Sequence, residues 1–248
     1  MFETSTREIV FTAAAGDMLN LLANLAPFTS KDQTTPVLNH IQSRPGNDDL
    51  TGYATDRYRL ARVTIPAPSI VGDLEGVEGL LMPRAGAESL AKVLKGLKKD
   101  LVTAKFGDDV DSIRFAGRVT LTATVEVLKD RSVTRAPRVI RWELSTHDAT
   151  ASHSVDMDSD FPRLAQLFPD QMANDPVGMM AFDPEKLATF AKVKDYSAQG
   201  RYENNCPLRI IGQQSPNKPV SLFRFNWFEG LLMPVRMPEQ ASYFRAAA

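Results

Sequence analysis

Apolar residues along this chain recur at two spacings, and the two alternate. Residues 7–12 (Arg-Glu-Ile-Val-Phe-Thr) have strand composition. Met18, Leu21, Leu22 and Leu25 then recur at helical spacing, with Asp17 in the first turn, which predicts a helix over 14–26 that Pro27 stops. Strands are expected at 37–42 and 50–54 and in a hairpin running to Ile65, with Pro66 and Pro68 opening a loop. Gly79–Pro83 reads as a strand entering a second helix over 85–99, whose apolar side is Leu90, Val93, Leu94 and Leu97. Lys92, Lys95 and Lys99 fall together on the opposite side at about 100° per residue. Strands follow at 102–106, 112–116 and 119–125, and again at 139–146 and 152–157. Residues 161–169 form a short apolar turn or a single helical turn. Val177–Phe182 is a strand, and Asp183-Pro184-Glu185 starts a third helix, expected to reach about Lys194. Strands at 208–213, 220–225 and 230–237 close the pattern before a tail over 238–248 of flexible composition.

A unit of one strand, one helix and about three strands therefore occurs three times, starting near residues 7, 79 and 177. Such repetition suggests an α+β fold made by duplication, its helices sharing one side of curved antiparallel sheets. Residues 1–168 are expected as a first domain, with a long basic hairpin or an insertion near 126–160 carrying Arg131, Arg135, Arg138 and Arg141. Residues 169–248 are expected as a second domain whose first half is not evident.

The hairpin Gly52–Val63 carries Arg57, Arg59 and Arg62 together with Tyr58 around a Thr55-Asp56 turn. On these residues alone the plainer account is a solvated turn with a charged edge strand.

Bulk charge does not mark a nucleic-acid binder: 29 basic residues face 30 acidic ones, so phosphate binding would need the charges sorted onto faces. No apolar run approaches the ~20 residues of a bilayer span, and the N-terminus shows no secretory signal. The single cysteine, Cys206, cannot form an internal disulfide, and together these features place the chain in a cytoplasm. His147 and His153 have no Cys or Glu at metal-ligand spacing, and no phosphate loop or nucleophile elbow is present. Neither catalysis nor a cofactor is expected.

Three separated segments together resemble the bacterial sliding clamp, the beta subunit of the replicative DNA polymerase. Leu38-Asn39 followed by Ala54-Thr55-Asp56-Arg57-Tyr58-Arg59-Leu60-Ala61 resembles the clamp's Ala-Thr-Asp-Gly-His-Arg-Leu-Ala hairpin. Asp160-Phe161-Pro162 through Leu167 and Pro169 is similar to its Phe-Pro segment. Leu231–Met237 is similar to its C-terminal Met-Pro-x-Arg strand. The resemblance covers most of residues 7–237.

This resemblance implies a clamp fold with a pocket that accepts short apolar peptides from a replicative polymerase and a clamp loader. The implied pocket residues are Leu38, Thr55, Arg57, Tyr58, Arg59, Leu60, Pro162, Gln166, Leu167, Leu231, Met233, Pro234, Val235, Arg236 and Met237. Apolar side chains would line the hole and arginines would orient the peptide at its rim, although sheet packing alone would also require Leu60 and Leu231. The implied DNA-facing residues are Lys92, Lys95, Lys99 and Lys192, meeting the phosphates of double-stranded DNA without reading sequence. Lys186 and Arg201 are further cations in that region, whereas Lys194 falls off the Lys192 face.

Two departures accompany the resemblance. Arg57-Tyr58 stands where the family has Gly-His, which bears on peptide preference. Only three repeat units are evident where two full domains would hold four. With two domains per chain a homotrimer would complete a six-domain ring, a dimer being the other assembly. A compact, divergent clamp of this kind is what a phage or mobile element would carry. The alternative is a clamp-derived module that binds the same peptides without closing around DNA.

Overall fold

In this computed structural model, which describes residues 3–77, 79–103, 117–129, 138–147, 149–155, 161–169, 180–196, 206–211 and 219–235, the first two repeats exchange strands. Strand β1 (Glu3–Ala14) leaves its own repeat and pairs antiparallel with β7 (Arg118–Lys129) of the next, Phe11 opposite Leu121. Strand β6 (Leu80–Pro83) makes the reciprocal crossing to β2 (His40–Pro45), Ile41 opposite Met82. Two antiparallel sheets result. One has the order β5 (Ser69–Val71), β1, β7, β8 (Arg138–Ser145), β9 (Thr150–Ser154). The other has the order β10 (Arg209–Ile211), β11 (Val220–Arg224), β12 (Phe228–Leu232), β4 (Arg59–Pro66), β3 (Asp49–Thr55), β2, β6.

Helix α1 (Ala15–Leu25) and helix α2 (Arg84–Thr103) pack side by side, and each bridges the two sheets. Met18, Leu21, Leu22 and Leu25 of α1 meet Leu90 and Leu94 of α2 in one core with Ile9, Phe11, Ile41, Leu80 and Trp142, all essentially inaccessible to water. Burying each such side chain contributes about 1.5–3 kcal/mol. Trp142 also joins the sheets through a polar bond, its indole N–H donating to Leu81 O at 2.8 Å.

The third repeat attaches to this frame rather than forming a separate core. Helix α3 (Pro184–Ala191) is capped by Asp183, whose carboxylate accepts the N–H groups of Glu185 and Lys186. Its Phe190 packs edge-on against Phe28 (4.9 Å) and near Phe228 (6.2 Å). Gly230 permits that approach, because a Cβ there would lie 2.1 Å from the Phe190 ring. Strand β12 adds directly to β4, Leu231 opposite Leu60, so one sheet runs across the expected boundary at 168/169.

Several sequence expectations are corrected. Of residues 126–160, those described are the end of β7, then β8 and β9, with Arg138 paired to Glu126 and Arg141 to Glu143, while Arg131 and Arg135 lie outside the described residues. Leu38 lies in a 3-10 turn over Pro36–Asn39, started by Pro36, and the strand begins only at His40. Val102 and Thr103 extend α2, while 104–106 and 112–116 lie outside the described residues. The last strand ends at Leu232 instead of reaching 237, since Pro234 has no N–H to give a ladder. Beyond it Val235 N–H bonds Ala181 O at 2.8 Å, a single bridge in place of the expected strand end. Helix α3 stops at Ala191 because Asn24 takes both backbone groups of Lys194, its side-chain O accepting the N–H and its NH2 donating to the C=O, each at 2.9 Å.

Candidate functional site

The face of the seven-stranded sheet turned away from the helices carries Tyr53 and Arg62 as one cross-strand pair and Thr55 and Leu60 as the next. Leu231 of β12 is opposite Leu60, and Glu229 is opposite Arg62. Period-2 alternation therefore sets Tyr53, Leu60 and Leu231 on one surface. The 3-10 turn Leu164–Leu167 lies over it. Leu164 and Phe168 are buried against Tyr53, Leu60 and Leu231, with Phe161 and Ala165 at the margin. Arg62 lies 4.3 Å from the Phe168 ring and forms an ion pair with Glu229. The turn's spacing of 161, 164, 165 and 168 is that of one helical face, a signal that could have identified Leu164 and Phe168 as its anchors.

Above this buried floor the three segments present apolar side chains to solvent. Tyr58 is 61% exposed, Leu167 59%, Val235 46% and Met233 40%. The backbone joins two of the segments directly, since Met233 N–H donates to Tyr58 O at 2.9 Å. Arg57, Pro162 and Gln166 are also exposed, and Pro234 is half-buried. Leu60 and Leu231 are covered floor, not open lining. Leu38 is buried too, on a loop tied to the hairpin tip by Arg57, whose guanidinium donates to Thr35 Oγ at 2.8 Å and lies 3.9 Å from Asp32. Two bonds from Thr34 and the nearby Arg57 hold the Asp32 carboxyl below the usual range. Arg236 and Met237 lie outside the described residues.

The arginines of the hairpin divide into two kinds. Arg57 is exposed and takes φ +77°, the left-handed region that favours glycine. Arg59 is not a rim cation but an internal strut. Its guanidinium donates to Asp56 Oδ2 (3.0 Å), Pro27 O (2.9 Å) and Thr189 Oγ, and it stands 5.3 Å from the Phe28 ring. Thr55 closes the turn beneath, donating to Arg59 O (2.8 Å) and accepting from Arg57 N–H (3.1 Å). Lys186, placed by its sequence among the DNA-side cations, belongs to this surface instead. Its ammonium bonds Asp56 Oδ2 at 2.6 Å and lies 5.0 Å over the Tyr58 ring.

No family model and no curated protein matches the sequence. Solved structures do match. A sliding clamp (DNA polymerase III subunit beta) from Bartonella birtlesii, solved bound to griselimycin, superposes with a TM-score of 0.59 at 16% identity, over 92% of this chain and 66% of its own. The beta subunit from Thermotoga maritima gives 0.57 at 12% identity, over 93% and 66%. The Bacillus subtilis sliding clamp gives 0.56 at 13% identity, over 92% and 64%. This chain has the sliding-clamp fold. It spans slightly less than two thirds of those clamps' length.

The lysines expected to face DNA are only partly among the described residues. Lys92 and Lys95 are exposed on α2, and the Lys95 ammonium lies 5.5 Å from the Tyr196 ring. Lys192 is exposed at the C-terminal cap of α3. The side chain of Lys99, and Arg201 altogether, lie outside the described residues. Helix α1 presents no such face: it contains no basic residue, and nearly every position along it is buried. Among the described residues no cluster of His, Cys, Asp or Glu could hold a metal ion, and no helix is long and apolar enough to cross a membrane.

Proposed function

We propose that this protein is a DNA polymerase processivity factor. It encircles duplex DNA through sequence-independent phosphate contacts and tethers a replicative polymerase, and its loader, by short apolar peptides. Residues 1–168 act as its first clamp-like domain and 169–248 as an incomplete second one, joined to the first through β12; a homotrimer closes the ring, and the cytoplasm of a bacterium, a phage-infected one included, is its place of work. Such a protein does its job by topology and weak contacts and performs no bond chemistry itself.

The observation that carries the reading is the meeting of three distant segments on one sheet face of a clamp fold. Each segment leaves apolar side chains exposed around a shared buried floor: Tyr58 on the first, Leu167 on the second, Met233 and Val235 on the third. A rigid apolar surface with polar groups at its edge is what a short peptide needs for affinity. Anisotropy of a fluorescent polymerase-tail peptide tests this. Met233→Ala or Leu167→Asp should weaken binding at least fivefold, and unchanged affinity in both would show the surface has been misplaced.

The reading as a peptide-binding module that forms no ring rests on one observation. Residues 3–155 hold two strand-exchanged repeats with two helices, whereas the described part of 169–248 holds one repeat with one helix. Mass in solution separates the two readings. A species three times 27.4 kDa supports the closed clamp, and a monomer at micromolar concentration supports the open module.

A further inference from the structure

In a helix-lined ring, α1 would stand beside α2 facing the duplex. Here it cannot meet phosphates. Over Ala15–Leu25 it has no Lys, Arg or His, and its polar residues Asp17, Asn20 and Asn24 fall within about 60° of one another on a single face. That face is covered. Asn24 holds the N–H and C=O of Lys194, as described above. Asn20 donates to Asp195 Oδ1 at 2.9 Å and accepts Tyr196 N–H at 2.7 Å. Val193 and Asp195 are buried while Lys192 and Lys194 point to solvent, so the segment lies on α1 with alternate side chains facing out. Tyr196 then reaches α2, where Lys95 stands over its ring.

We infer that residues Lys192–Tyr196 replace α1 as a duplex-facing surface, and that Lys194 contacts DNA phosphates alongside Lys192, Lys92 and Lys95. This rests on the DNA-binding part of the function proposed above. The physical reason is a division of labour between backbone and side chains. Two buried asparagines fix the segment by its backbone, which leaves both lysine side chains uncommitted to the fold. The Lys95–Tyr196 contact makes the surface continuous with the exposed cations of α2. The buried Asp195 carboxylate is held inward by Asn20, and the Asp17 carboxyl beside it is pushed up by burial and by Asp195, so these acids lie beneath the cations. A contact made by flexible cations to phosphate oxygens carries no sequence information, as a surface that slides along DNA requires.

The test is the salt dependence of binding by the full chain to a fluorescent 30-base-pair duplex. Each phosphate neutralised adds about 0.9 to the slope of log binding constant against log salt. Lys192→Ala/Lys194→Ala should therefore lower the slope by about 1.8 and weaken binding at 0.1 M salt about sixtyfold. Both side chains are exposed, so the melting temperature should not move. Lys31→Ala, an exposed lysine next to the Arg57 hairpin, should leave slope and affinity as they are. A double variant that keeps the parent slope and binds within twofold of it overturns the inference while leaving the DNA reading intact. A parent chain that shows no salt-dependent duplex binding overturns both. As a second measurement, in a Cys206→Ser background, a photo-crosslinker on Lys194→Cys should join the duplex and one on Lys31→Cys should not. The reverse pattern also sinks the assignment.

Discussion

Met233 donates its backbone N–H to the carbonyl of Tyr58 across 2.9 Å, tying the exit of β12 to the tip of the β3–β4 hairpin. The two residues are 175 positions apart in sequence, and both expose their side chains to solvent. Main-chain pairing thus sets the spacing of the surface without drawing on either side chain.

Stability and peptide binding should therefore separate cleanly at neighbouring positions. Tyr58→Ala removes an exposed ring, and its effect on folding should stay within about 0.5 kcal/mol while peptide affinity falls severalfold. Leu60→Ala opens a cavity under Leu164, Phe168 and Leu231 and should cost about 2–4 kcal/mol. Urea unfolding with peptide anisotropy on both variants checks this. A Tyr58→Ala protein that unfolds early but binds normally would contradict it.

Two arginines two residues apart should behave oppositely. Arg57→Gly relieves a side chain held at φ +77° and should stabilise the protein by about 0.5 kcal/mol, despite losing an exposed bond to Thr35. Arg59→Ala removes the strut joining Asp56, Pro27 O and Thr189 and should destabilise by about 3 kcal/mol. Paired denaturation curves are sufficient, and equal effects would show that the hairpin has been misread.

Asn24→Ala should cost about 2–3 kcal/mol, since it leaves the N–H and C=O of Lys194 without their partners. Amide hydrogen exchange gives the specific signature: protection should fall at Lys194 and Tyr196 before it falls in α2. Uniform loss would mean that the segment is not held by this clasp.

Stability should also fall on mild acidification. Burial of His40 lowers its pKa below the ordinary 6.5, an effect only partly offset by the bond its Nδ1–H donates to Pro36 O at 3.0 Å. Above pH 6.5 the ring is neutral in both folded and unfolded chains and exerts no pH effect. Below it the unfolded chain takes the proton first, so stability drops with pH until the folded pKa is reached. The raised Asp17 carboxyl works in the opposite sense at lower pH, stability being recovered as pH falls through its folded value toward the unfolded 3.8. Unfolding free energy at pH 7.5 and 5.5 checks the first effect. His40→Gln should flatten the difference, and an unchanged slope would remove His40 as its source.

Much of the fold was legible in order and period. The helices around Met18–Leu25 and Leu90–Leu97, and the repeat that contains each, follow from apolar spacing and from the prolines that end or start them. The alternation of Tyr53, Leu60 and Arg62 was also in the residues, but its meaning was not. Nothing local says that Leu164 and Phe168, a hundred positions later, would cover that face, or that Arg59 would turn inward while Arg57 turned out. Lys186 lies in the first turn of α3 and Lys192 at its C-terminal cap, so one stands over Tyr58 while the other is exposed at the far end.

What the chain determined by itself was the kind and sequence of its elements, since periodicity, capping and proline placement act over a few residues and need no partner. Tertiary structure alone decided which faces met. The exchange of β1 and β6 between repeats, the joining of β12 to β4, and the laying of Lys192–Tyr196 over α1 are non-local pairings. Each is settled by burial and backbone hydrogen bonds made across long stretches of chain, and those interactions come into being only when the whole core closes.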